Sequence, residues 1–177
     1  DILEITMDED ELTVYEIENS PPASFLFQGG YLTFKKRESD TEYKLDYPNK
    51  EVKDSFSKLL LLGTYSMESE NHNHTRINIQ EGLREKNFEK IFEEMKMVFS
   101  MIPYQIFERR KNERKDIWDK RNENYYHTVM LIVFHSCGLD VIGEESNNLG
   151  RSDIVLKYKD DVYIIELKKT SASVALE

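Results

Sequence analysis

Apolar residues recur at helical spacing through the middle of the chain and gather into short unbroken runs near its C-terminal end. Val52, Phe56, Leu59 and Leu60 follow Pro48-Asn49, and Asn49 can cap the first turn. The spacing predicts a helix running to about Tyr65. Phe88, Ile91, Phe92, Met95, Val98 and Phe99 trace a second amphipathic helix, stopped before Pro103. This stripe is expected to serve as core or as an interface to a neighbouring part. A third helix is predicted from Glu123 to Cys137, with Tyr126, Val129, Met130, Val133 and Phe134 on one broad face and Gly138 ending it. Glu123 then lies near the helix N-terminus, where the backbone dipole favours a negative charge. Between the first two helices, Ser66 to Thr75 is polar and reads as a mobile loop, followed by a short helix from Ile77 to Lys86. His72 and His74 lie in that stretch, but no Cys or carboxylate cluster completes a zinc site.

Upstream, Ile2 to Glu18 mixes acidic and aliphatic residues without a clean period, and no element is assigned there. Ser20-Pro21-Pro22 punctuates the chain, and Ala23 to Gln28 is expected to form a short helix capped by Gly29-Gly30. Tyr31 to Lys35 and Glu42 to Asp46 read as two strands around a polar connection. A helix followed by a hairpin resembles a small winged-helix-like or lid module, whose aromatic residues are expected to pack and not to touch nucleic acid.

The C-terminal end carries the candidate chemistry. Leu139 to Glu145 reads as a strand, and Asn147-Asn148-Leu149-Gly150 as a turn. Gly150-Arg151-Ser152-Asp153 opens the run Ile154-Val155-Leu156. A short polar turn leads to Val162-Tyr163-Ile164-Ile165, ending in Glu166-Leu167-Lys168. Neither run alternates, which suggests strands covered on both faces. Residues two apart share a face, so Glu166 and Lys168 point the same way. If Lys159-Asp160 is a two-residue hairpin loop, Tyr158 pairs with Asp161 and Asp153 stands opposite Glu166. Two facing carboxylates repel, so a cation is needed, either Lys168 or a divalent metal held by oxygen. If the loop is Asp160-Asp161, Asp153 pairs with Lys168 as a plain ion pair. A three-residue loop turns Asp153 to the other face. The bland alternative is a hairpin whose ends carry solvated charges.

Glu123-Asn124-Tyr125-Tyr126-His127, Val141-Ile142-Gly143-Glu144, Gly150-Arg151-Ser152-Asp153 and Tyr163-Ile164-Ile165-Glu166-Leu167-Lys168 resemble the PD-(D/E)XK nuclease-like domain found at the C-terminus of bacterial AAA-ATPase-like proteins. Phe25 to Thr33 and Tyr47 to Val52 look like the junction between the ATPase part and that domain. The resemblance implies an α/β (α+β) chain. Its mixed-sheet, restriction-endonuclease-like core is preceded by a helical segment and the winged-helix-like module. The expected divisions are 1–48 as a remnant of the ATPase part, 49–118 as a helical linker and 119–177 as the nuclease-like core. The family's core continues with a further helix and strand, so the chain is expected to be a fragment lacking both. An edge left bare in this way would favour self-association. No GxxxxGK[ST] phosphate loop occurs, so an ATP site of the parent is not expected here.

The resemblance also implies roles. Asp153 and Glu166 would hold Mg²⁺ or Mn²⁺, with Glu144 completing the metal shell; Glu145 points the opposite way along the pleat. Lys168 would orient the attacking water or stabilise charge on phosphorus, and Arg151 would grip phosphate as a planar fork. Glu123 is a further candidate acid, as the equivalent helix in related folds can supply one.

Composition limits these readings. The formal net charge is −10, which argues against a broad nucleic-acid surface. Lys35-Lys36-Arg37 and the run Arg109 to Lys115 are local exceptions, and a charge run is usually a solvated face. No apolar run approaches the roughly 20 residues of a membrane span. A single cysteine, Cys137, in an apolar segment reads as a buried, inert thiol compatible with the cytoplasm. Three functions follow as expectations. The first is a metal-dependent nuclease acting on DNA or RNA. The second is a silent nuclease-fold module that binds nucleic acid or protein. The third is a structural domain packed on the ATPase part of the same parent chain.

Overall fold

The computed structural model describes residues 5–13, 20–101, 115–147 and 150–167, and of 115–122, 144–147 and 150–152 the backbone alone. The chain divides into two compact units, Asp1–Phe56 and Ser57–Glu177. Both combine helices with antiparallel sheet, the α+β class expected.

In the first unit a three-stranded sheet has the order β1-β3-β2, from β1 (Ile5–Asp8), β2 (Thr33–Arg37) and β3 (Glu42–Asp46). β1 and the short α1 (Glu9–Leu12) form in the stretch that lacks a clean hydrophobic period. Asp8 and Glu11 cap α1 reciprocally, each side chain accepting from the other's backbone N–H. α2 (Pro22–Gln28) ends at Gly29, and Gly30 takes the left-handed φ of 77° that a glycine adopts freely. Met7, Leu12, Ala23, Leu32 and Leu45 form the core.

The second unit is built on helices leading into a hairpin sheet. α3 (Lys50–Thr64) runs across the division between the units and starts as read, with Val52 N–H donating to the Asn49 side chain at 2.8 Å. α4 (Ser69–Glu85) replaces the expected loop at Ser66–Thr75 and absorbs the short helix after it. Its buried stripe begins with His72 and Thr75 and continues through Ile79 and Leu83, so the helical period is present but its first members are polar. Gly82 lets α5 (Phe88–Met101) close on α4, since a Cβ there would meet Ile91 at 2.7 Å. α6 (Lys115–Ser136) starts two turns earlier than read, so Glu123 lies inside the helix and not at its N-terminus. From Val129 to Phe134 every side chain of α6 is buried, so this part of the helix runs through the core. Cys137 is buried, as expected, and its carbonyl accepts from Gln80 of α4.

A second three-stranded antiparallel sheet has the order β4-β5-β6, from β4 (Asp140–Asn147), β5 (Gly150–Tyr158) and β6 (Asp161–Ile165). Ile154, Val155 and Leu156 of β5 are buried, as read. β6 departs from the reading. Val162 is 61% and Ile164 63% exposed, so one face of this strand is open. An unbroken apolar run does not say which strand ends at the sheet's edge.

Candidate active site

The hairpin loop decides whether the carboxylates meet, and here it is Lys159-Asp160. The β5–β6 ladder pairs Tyr158 with Asp161 and runs without slip to Ile154 opposite Ile165. Lys159 takes up the turn with a left-handed φ of 55°. One step beyond the last pair, Asp153 comes opposite Glu166. This is the register of the Lys159-Asp160 loop and not that of an Asp160-Asp161 or a three-residue loop.

Asp153 reaches across this end of the hairpin. Its Oδ2 accepts from the Leu167 N–H at 2.8 Å, fixing the carboxylate beside the strand's exit. Asp153 is half-buried while Glu166 is exposed, so the pair occupies a rim. On the other side, the β4–β5 ladder runs unchanged from Gly143 opposite Ile154 to Glu145 opposite Ser152. Glu144 therefore occupies the register position across from Asp153, and Glu145 does not. Three acidic positions thus fall in one row, 144 on β4, 153 on β5 and 166 just past the end of β6.

A contact that pattern reading missed comes from α6. His127 Nε2 donates to the Asp153 main-chain carbonyl at 2.7 Å, tying the helix to the start of the site. Gly143 makes this approach feasible, because an added Cβ would lie 2.7 Å from Leu131 and 3.0 Å from His127. Both residues stood inside recognised stretches, but a helix-to-strand contact has no local signal. Glu123, on the same helix, is exposed, and no bond links it to the hairpin among the described residues. The side chains of Glu144 and Arg151, and Lys168 altogether, lie outside the described residues.

Asp153 and Glu166 supply hard oxygen donors, and Leu167 N–H engages only one oxygen of Asp153. That donor set suits a hard divalent cation such as Mg²⁺. Among the described residues no three His, Cys, Asp or Glu side chains converge as a complete metal cluster, so Glu144, water or substrate oxygen would have to fill the shell. Beside Glu166 an apolar groove of about 380 Å³ opens, lined by Phe88, Phe92, Tyr163 and Ile165 among others. Phe88 meets Tyr163 edge-on at 5.6 Å, and Lys86 pairs with Asp161 at 2.9 Å, so α5 and the turn before it brace β6.

Comparison with known proteins places the hairpin within a family match. The family model described as the PD-(D/E)XK nuclease superfamily matches residues 121–177, which hold most of α6, the three strands of the second sheet and every candidate site residue. The chain is also 29% identical, over 160 residues, to an uncharacterized protein in the vnfD 5′ region of Azotobacter chroococcum mcd 1. That alignment covers 89% of the chain and 30% of the relative, so the chain spans less than a third of that protein's length. No solved structure matches. No described helix is long and apolar enough to cross a membrane.

Proposed function

We propose that the segment matching the PD-(D/E)XK nuclease superfamily is a metal-dependent nuclease centre that hydrolyses phosphodiester bonds in nucleic acid. The observation that supports the reading is the β5–β6 register, which, continued one residue past its last pair of Ile154 and Ile165, brings Asp153 opposite Glu166. Asp153 and Glu166 would hold Mg²⁺ or Mn²⁺, with Glu144 as a third ligand from the neighbouring strand. When bound, such an ion acidifies a coordinated water and offsets charge on the scissile phosphate.

The chain's own groups do the rest. Leu167 N–H holds the Asp153 carboxylate in place, and His127 anchors the Asp153 backbone to α6. Lys168 orients the attacking water and stabilises negative charge developing on phosphorus, while Arg151 grips a phosphate through paired N–H groups. Nucleic acid, an ATPase part in the same parent chain and a cytoplasmic setting belong to this proposal. The net charge of −10 supports a second reading, a silent module that recognises a partner without cutting it.

Cleavage of DNA and RNA oligonucleotides by the full-length protein, with and without Mn²⁺, separates the two. The nuclease reading expects metal-dependent cleavage that is lost in Asp153→Ala and Lys168→Ala. Cleavage retained by Asp153→Ala would refute the assignment, and metal-independent binding without cleavage would favour the second reading.

A further inference from the structure

Away from the hairpin, α4 and α5 bury a carboxylate with one oxygen left unpartnered. Glu94 of α5 is only 8% exposed, and its Oε2 has no hydrogen-bond partner among the described residues. Its Oε1 accepts from the Asn78 side-chain amide at 2.5 Å. His74, one helical turn before Asn78 on α4, brings Nδ1 to 3.7 Å from the same oxygen. The Asn78 amide nitrogen is 3.1 Å from His74 Nδ1 and 3.2 Å from Nε2, nearly equidistant. It therefore lies over the ring face and is in line with neither nitrogen's lone pair. A buried acid, an imidazole and a side-chain amide thus meet at one point on the α4–α5 seam.

From this arrangement we infer a second metal site, made by His74, Asn78 and Glu94, that takes a divalent transition metal of the Zn²⁺ class. With metal–ligand bonds of about 2.1 Å, the 3.7 Å between His74 Nδ1 and Glu94 Oε1 subtends about 124° at an ion, within reach of a four- or five-coordinate centre. The amide N–H now offers positive hydrogen to the carboxylate, and the ion would take over that part. Rotation of Asn78 about its last side-chain bond presents its oxygen as a third ligand. Glu94 Oε2, buried and unpaired, then gains a partner instead of carrying the cost of burial alone. His74 is 65% exposed, so the ring turns without disturbing the core and water completes the shell. Imidazole with oxygen ligands selects zinc, cobalt or nickel over magnesium, unlike the all-oxygen hairpin site.

The test titrates Co²⁺, followed by its visible absorption, and Zn²⁺, followed calorimetrically, into the 177-residue chain. The chain carries Asp153→Ala and Glu166→Ala so that the hairpin carboxylates do not contribute. One equivalent should bind saturably, and millimolar Mg²⁺ should not displace it. His74→Ala, at an exposed position that leaves the fold intact, should weaken binding at least about 50-fold. Loss of a mere outer partner of a metal ligand already costs about 10–100-fold. Glu94→Gln should do the same, with circular dichroism confirming that the helices persist. Absence of saturable binding, or binding unchanged by His74→Ala, overturns the inference.

Discussion

Asp153 joins an observed structural bond to a proposed metal role, and the two separate by substitution. One carboxylate oxygen accepts from Leu167 N–H, a structural bond worth about 1 kcal/mol. The other is available to a cation. Asp153→Asn keeps a neutral acceptor for Leu167 and should unfold in urea close to the parent midpoint, whereas Asp153→Ala should lose about 1 kcal/mol. Both should lower cleavage at least about a hundredfold, because the negative charge is gone in each. Equal stability of the two variants would show that the Leu167 bond contributes nothing. His72 provides a different single-residue test. Burial comes first among the causes that hold its imidazole below the ordinary 6.5, and the positive charges of Lys58 and Arg76 act in the same direction. The Ser136 backbone opposes the shift, although neither ring nitrogen has a bond of normal geometry among the described residues. A depressed folded-state pKa means that the unfolded chain takes up the proton first as pH falls. Stability should therefore decline from about pH 6.5 downward until the folded ring also titrates. His72→Leu should flatten that decline in urea midpoints measured between about pH 7 and 5.5, and an unchanged slope would assign it to other groups.

At the level of elements, the register of β5–β6 is the decisive quantity, and it rests on a two-residue turn. Inserting one glycine between Lys159 and Asp160 should slip the pairing by one residue and send Asp153 and Glu166 to opposite faces. Calorimetric Mn²⁺ binding at the hairpin and cleavage should both disappear while circular dichroism retains the sheet. Retained binding would mean that a bulge absorbs the extra residue. Packing of α6 on β4 can be probed at Gly143, where alanine should cost about 1–3 kcal/mol through overlap with Leu131 and His127, read as a lowered urea midpoint. These elements differ in how legible they were from the chain. α3 and α5 announced themselves because aliphatic and aromatic residues carried the helical period. α4 did not, since its buried stripe opens with His72 and Thr75, which a hydropathy pattern scores as polar. α6 is legible only from Glu123, because the charged residues before it give no apolar period, although the backbone continues back to Lys115. β1 depends on pairing with β3, Ile5 opposite Leu45, and such long-range pairing leaves little trace in a four-residue strand. Asp153 facing Glu166 was legible up to the loop length, which residue types alone left open. The His127 contact was not, because it depends on how a helix lies across a sheet.

For the molecule as a whole, charge sets the terms on which it can meet a polyanion. The chain carries 24 basic and 34 acidic residues, and several of its described lysines are already committed to carboxylates, among them Lys35 with Asp46, Lys86 with Asp161 and Lys90 with Glu81. A protein that tracks a duplex through many phosphate contacts releases a counterion for most of them, and its affinity falls steeply with salt. Here binding would have to rest on a metal at the hairpin, Arg151 and Lys168, which together reach only a few phosphates. The logarithm of affinity for a labelled oligonucleotide, measured by anisotropy with Asp153→Asn protein so that the strand survives and only Arg151 and Lys168 remain of these groups, should therefore fall against the logarithm of salt with a slope of about −1.5 to −2. Double-stranded and single-stranded probes should give similar slopes if the hairpin supplies the phosphate contacts. A slope steeper than about −6 would require a broad basic track, and would move the centre of recognition from the hairpin to the basic run Arg109 to Lys115.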